Sequence, residues 1–294
     1  MKKKMFALMM AAVMVFSLAA CGSSGSSSST DEAEEETEEE EDEAEEAEET
    51  EEAAEEETED SDIAYIQEKG TLIVGITDFA PMDYLDDDGE WIGLDADLAR
   101  IVAEDLGVEI EFIEIDWDNK ILELDNKSID VVWNGMTLTD EVATAMNCTE
   151  AYCNNAQVVV MAADAIDEFT DADSLSGLTF AVESGSAGEA AAEEYGFDYT
   201  SVLAQSDALL EVASGSSDAA IIDITMAYAM TGEGTSYEDL TYSLELTTEE
   251  YVVGCRVGSD LTDFINEEFA ALYADGTLME IAATYEMEGA IVEW

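Results

Sequence analysis

Carboxylates dominate the residues of this chain that could do chemistry. Asp and Glu number 74 against eight Lys and Arg, with four cysteines and no histidine, for a formal charge of −66. Without histidine there is no side chain that ordinarily titrates near neutral pH and no imidazole ligand. His-based acid–base catalysis and a His-ligated metal are therefore excluded. A carboxylate can still serve as a general acid or as the counter-charge to a bound cation, and composition does not separate the two. The cluster Asp86, Asp88 and Glu90 could suggest a calcium loop. It lacks the full ligand spacing, and Asp88-Gly89 at its centre reads as a hairpin turn. No metal or other cofactor is expected. Nucleic acid and anionic membrane faces are excluded as partners, since both require clustered Lys and Arg.

The N-terminus carries a different chemistry. Lys2, Lys3 and Lys4 precede a short apolar run and then Leu18-Ala19-Ala20, the pattern of a secretory signal peptide over 1–20. Cys21 directly after the small pair resembles the lipobox of bacterial lipoproteins. That resemblance implies cleavage before Cys21, a diacylglycerol on its sulfur, and a chain lipid-anchored at the extracellular face of the cytoplasmic membrane. A plain signal peptide with an incidental cysteine is the alternative. Residues 22–30 have a Gly/Ser linker composition. Residues 31–60 hold 22 acidic side chains and no base, so repulsion along any helix predicts a disordered polyanion. In the 21–60 segment of lipidated cysteine plus linker, residues 22–60 could reach on the order of 130 Å at ~3.3–3.6 Å per residue. A tail binding calcium or a partner is the other reading.

Residues 61–294 carry 52 acidic side chains against Lys69, Arg100, Lys120, Lys127 and Arg256. They suffice for one large or two modest domains. The run 71–76 predicts a buried strand. Residues 94–106 have helical apolar spacing closed by Gly107, 108–115 alternates as a strand, Trp117, Ile121 and Leu124 step round a helix, and 129–133 is a strand. This β-α-β-α-β order implies an α/β unit with a mainly parallel sheet. The second half repeats it. Strands are expected at 156–161, 178–182, 219–222 and 251–254, and helices at 185–195, 206–214, 261–273 and 277–285. Two such units imply two lobes with a cleft, the default place for a ligand. Cys148, Cys153 and Cys255 are too odd in number to pair completely. Export permits a disulfide, and the expectation is one bridge joining Cys153 to Cys148 or Cys255, against three reduced thiols.

Over about 63–290 the chain resembles the extracellular solute-binding proteins of amino-acid ABC transporters, polar amino-acid branch. The resemblance rests on Gly75-Ile-Thr-Asp-Phe-Ala-Pro-Met82, Gly93-Leu-Asp-Ala-Asp-Leu98 and Ile129-Asp-Val-Val-Trp-Asn-Gly-Met-Thr-Leu-Thr139. In the second half it rests on Val182-Glu-Ser-Gly-Ser186 and Ser217-Asp-Ala-Ala-Ile-Ile-Asp223. It implies a two-lobed periplasmic-binding-protein-like fold, with lobe 1 formed by 61–155 and 256–294 and lobe 2 by 156–255. Crossover strands are then expected near 156–162 and 251–257, with hinge closure on the ligand.

The same resemblance implies that Phe79 and Trp117 flank the ligand, that Asn134, Gly135, Met136 and Thr137 offer loop groups, and that Ser186 and Ala187 bring a helix N-terminus to a carboxylate. Asp223 would pair with an ammonium. Phe79, Trp117 and Met136 could equally be core, Thr137 could satisfy its own turn, and Asp223 could cap a helix. The family usually has an arginine where Val142 stands, gripping the α-carboxylate. Lys120 and the helix N-terminus are the candidate substitutes. A cationic solute such as a polyamine, held by Asp78 and Asp223, would also explain the change. The function implied is capture of a small polar solute, an amino acid first, for an ABC permease and ATPase, with no catalysis. A prephenate- or arogenate-type dehydratase and a signalling sensor on the same fold are the alternatives.

Overall fold

The computed structural model describes residues 61–294. The expected signal peptide, the lipid attachment at Cys21 and the acidic linker lie outside these residues. Among the described residues no helix is long and apolar enough to cross a membrane.

Apolar, β-branched runs build two sheets. In the first, β1 (Thr71–Ile76) lies between β4 (Glu109–Glu114) and β5 (Val131–Thr137), both parallel to it. β5 is buried almost throughout, as a strand covered on both faces must be. On its far side β13 (Glu249–Cys255) runs antiparallel, with Tyr251 opposite Thr137. β13 in turn pairs with β6 (Asn147–Cys148) and β7 (Cys153–Asn155). The second sheet has a parallel core of β10 (Asp198–Val202), β9 (Thr179–Glu183) and β11 (Ala219–Asp223). Antiparallel β8 (Gln157–Ala162) and β12 (Leu240–Glu245) complete it. A small hairpin joins β2 (Tyr84–Leu85) to β3 (Trp91–Ile92). Asp86 Oδ1 accepts from the Asp88 and Glu90 N–H groups at 2.9 Å each, so this carboxylate is used in closing the turn.

Helices cover the sheets: α1 (Asp62–Lys69), α2 (Leu94–Leu106), α3 (Lys120–Asp125), α4 (Asp140–Ala145), α5 (Ala187–Tyr195), α6 (Gln205–Ser214), α7 (Ile224–Met230), α8 (Leu261–Asp275) and α9 (Thr277–Thr284). One continuous core includes Val74 and Trp133 of the first sheet and Val160 and Ile222 of the second. α1 is fastened by buried charge. The Arg256 Nε donates to both Asp62 oxygens at 3.0 Å, and its guanidinium also reaches Asp130, which Lys69 contacts as well.

Two expectations are corrected. The chain returns to the first sheet by Glu249, before the expected 255/256 boundary, because β13 takes its ladder from β5. The connections between sheets are accordingly short, at 156 and 246–248. The expected disulfide is absent: Cys148, Cys153 and Cys255 are all free. Sheet geometry explains this. Cys148 is opposite Gly254, three residues along β13 from Tyr251, the partner of Cys153, a separation of roughly 10 Å. Cys153 is opposite Tyr251, four residues along β13 from Cys255, a separation of roughly 13 Å.

Candidate functional site

The C-terminal ends of β1, β5, β9 and β11 converge on a cavity of about 240 Å³, below the ~300–1,000 Å³ of drug-sized pockets. In open α/β sheets this end of the strands is where ligands bind. The first-sheet wall contains Phe79, Trp117, Lys120, Asn134, Gly135, Met136 and Thr137. The second-sheet wall contains Ser186, Ala187 and Asp223. Every binding residue expected from the sequence thus lies on one cavity. Asp78, considered as a second counter-charge, is exposed and outside this wall.

The first wall is braced from behind. Phe79 is tied into a tight turn by hydrogen bonds between its main chain and Asp83, and its ring meets Tyr251 edge-on at 6.4 Å. Gly135 has φ 53°, and a Cβ there would lie 2.5 Å from the Phe79 ring. Both facts demand glycine. Its N–H donates to Asp95 Oδ2 at 2.6 Å. The Asn134 side chain is fully engaged internally, accepting from Thr77 N–H and O–H and donating to Thr77 O and Asp83 Oδ2. It shapes the wall and leaves no amide group for a solute. Thr137 Oγ1 donates to Glu249 at 3.0 Å. Val142 packs with Trp117, Met136 and Met146, so the position where the resemblance expects arginine is an apolar patch.

Lys120 sits at the start of α3, directly after a 3-10 turn carrying Trp117. It is buried rather than an exposed helix lysine. Its Nζ donates to Trp117 O at 3.2 Å and, across the cavity, to Gly185 O at 2.9 Å. Burial lowers its pKa, while Glu141, Glu183 and Asp118 oppose that shift. Gly185 has φ 71°, and a Cβ there would meet Asp118 Cα at 2.7 Å, so the two walls touch at this point.

On the second wall Ser186 caps α5, its hydroxyl accepting from Glu189 N at 3.1 Å. Ser186 and Ala187 line the cavity, so the N-terminal end of the helix dipole opens on it. Asp223 ends β11 and is buried among neutral donors. It accepts from Tyr251 Oη at 3.0 Å, Gln157 Nε2 at 2.9 Å, and the Asn155 and Gln205 amides. Burial, then the Glu249 charge, pushes its carboxyl up to about 7.

Sequence reasoning missed Glu183, Gln205 and the α4 entrance residues Thr139, Asp140 and Glu141, all on the wall. Glu183 ends β9, is only 3% exposed, and its Oε1 has no hydrogen-bond partner. Burial, then the Asp223 charge, pushes its carboxyl up to about 8. Its place at a strand end inside a quoted motif was the available signal. Chemically, the cavity offers two buried carboxylates, one buried ammonium, a helix N-terminus and two aromatic rings. It suits a small polar solute carrying both a cationic and an anionic group.

The family described as bacterial extracellular solute-binding proteins, family 3, matches residues 72–288. The arginine-binding extracellular protein ArtP of Bacillus subtilis (strain 168) is 30% identical over 223 residues, covering 72% of this chain and 85% of its own. A structure of ArgBP from T. maritima aligns with TM-score 0.72 and 31% identity over 76% of this chain and 98% of its own. The ancestral amino acid-binding protein AncCDT-1, described as a precursor of cyclohexadienyl dehydratase, aligns with TM-score 0.71 and 28% identity over 76% of this chain and 99% of its own.

Proposed function

The chain belongs to the bacterial extracellular solute-binding proteins, family 3, and from that premise we propose that it captures an amino acid in the cavity between its two sheets and delivers it to an ABC permease driven by its ATPase. Asp223 receives the α-ammonium. Lys120 and the N-terminus of α5 face the α-carboxylate, in place of an arginine at 142. Phe79 and Trp117 flank the side chain. The lobes close about the short connections at 156 and 246–248, and a lipid on Cys21 holds the receptor at the outer face of the membrane. It binds and releases its solute unchanged.

The observation that carries this reading is the opposition of charge across the cavity, with buried Asp223 on one strand end and buried Lys120 on the facing wall. An ammonium and a carboxylate on one small molecule satisfy both. The similarity to an arginine-binding protein and to an ancestral amino acid-binding protein supports an amino acid over other zwitterions. The apolar surface at Val142 favours one second reading, a polyamine lacking any carboxylate.

Thermal melting of the protein with each common amino acid, cystine, putrescine and spermidine tests the choice. A ligand at 100 times its Kd adds about 2.7 kcal/mol, several degrees for a protein this size. The expected result is a shift from one or a few amino acids. A shift from polyamines alone selects the second reading, and no shift from any of them contradicts both.

A further inference from the structure

The two buried carboxylates of the cavity differ in what surrounds them. Asp223 accepts from Asn155, Gln157, Gln205 and Tyr251. Glu183, as buried, feels the Gln205 side chain and has one oxygen, Oε1, that accepts from nothing. Among the described residues no lysine or arginine lies within ion-pair distance of Glu183. Lys120, the cation whose charge it feels, directs its ammonium to the carbonyls of Trp117 and Gly185. An acceptor without a donor in a buried wall is unfavourable unless a bound molecule supplies the donor.

Charge balance narrows what that molecule is. Buried in the wall are the acids Glu183 and Asp223 and the base Lys120; Asp140 and Glu141 at the entrance are exposed and screened by water. A neutral amino acid matches its ammonium to Asp223 and its carboxylate to Lys120, and leaves Glu183 with no cation, so that burial keeps it protonated. A solute with one further positive group completes the balance.

Resting on the amino-acid reading above, we infer that Glu183 is a specificity-determining residue that receives the side-chain cation of a basic amino acid. The guanidinium or ε-ammonium donates to its unpartnered oxygen, while the α-ammonium goes to Asp223. The flanking Trp117 ring covers the aliphatic stem between the two ends, since such stems pack on apolar surface while their charged tips find a partner.

Calorimetric titration of the full protein and its Glu183→Gln variant with two matched pairs tests this: L-arginine against L-citrulline, and L-lysine against L-norleucine. The first pair keeps length and shape and differs in the side-chain charge; the second keeps the four-carbon stem and removes the terminal ammonium. The expected result is that the charged member of at least one pair binds about 100-fold tighter to the wild type. In Glu183→Gln that preference falls to about threefold or less, while affinity for the neutral member stays within about threefold. Equal affinity for both members of each pair, unaffected by the substitution, overturns the inference and leaves the amino-acid reading standing. An equal loss for both members places Glu183 at the α-ammonium and also overturns it. Failure of every amino acid to bind removes the underlying reading itself. The thermal midpoint of the isosteric variant, which should be no lower than that of the wild type, separates loss of binding from loss of folding.

Discussion

Lys120 Nζ donates to the carbonyl of Gly185 at 2.9 Å, from α3 beside the first sheet to the loop after β9 of the second. The bond spans the cavity mouth beside the contact between Gly185 and Asp118. One buried lysine therefore both supplies the cation of the wall and joins its two sides. The same group can face a solute carboxylate and favour the closed arrangement.

Lys120→Met keeps most of the side-chain volume and removes the ammonium. It should weaken capture of the solute identified by thermal melting by about 10- to 100-fold, the effect of truncating one partner of a buried charged contact. The radius of gyration by small-angle scattering should be larger for the variant than for the wild type at saturating solute. Unchanged affinity and unchanged scattering would remove Lys120 from the site and from closure.

The buried acids set a pH dependence with a definite sign. Burial raises the carboxyls of Asp95 and Asp223 to about 7 and that of Glu183 to about 8, and raises Asp83 as well. A carboxyl whose folded pKa exceeds its unfolded value holds its proton more tightly when folded. Its contribution to stability is complete below the unfolded pKa, near 4, and is lost as pH rises through 7 to 8. Without solute, the thermal midpoint should rise as pH falls from 8.5 to 5.5. Glu183→Gln should flatten that slope, by at most about 1.4 kcal/mol per pH unit for one proton. A midpoint that falls over the same range, or a slope untouched by the variant, contradicts this assignment.

Gly135 tests the architecture behind the first wall. A methyl group there meets the Phe79 ring at 2.5 Å and must be carried at φ 53°. Gly135→Ala should cost about 1–3 kcal/mol from strain and overpacking combined. The loss should be accompanied by weaker binding, since Phe79 must move. Denaturant unfolding measures the first effect and calorimetry the second. A variant as stable as the wild type would mean the loop relaxes freely around Phe79.

Much of this arrangement was legible in the sequence where one physical signal acted alone. Helix α2 was expected at 94–106 and is found there, because its apolar spacing and Gly107 at its end agree. Strands β1 and β11 stood out as short apolar runs. Elements with mixed signals were not anticipated. β10 is a polar edge strand, and α7, Ile224–Met230, carries apolar residues on most of its surface. The site shows the same division. Phe79, Trp117 and Asp223 came from motif positions and meet at the cavity. Glu183 stands in one of the motifs too and was passed over, because one Glu among 74 acidic residues shows its burial only when the second sheet and α6 enclose it. Asp95 reads as a first-turn helix acid suited to the dipole. In the fold it turns inward to Tyr152 Oη and Gly135 N.

Calorimetric titration of the wild type and Asp223→Asn with the amino acid that gives the largest thermal shift tests the central claim most directly. The account predicts one molecule bound per chain, and a loss of at least about 30-fold in the variant, as a buried charge partner is removed, with the fold retained. Undiminished binding by Asp223→Asn, or no heat from any amino acid with the wild type, would contradict it.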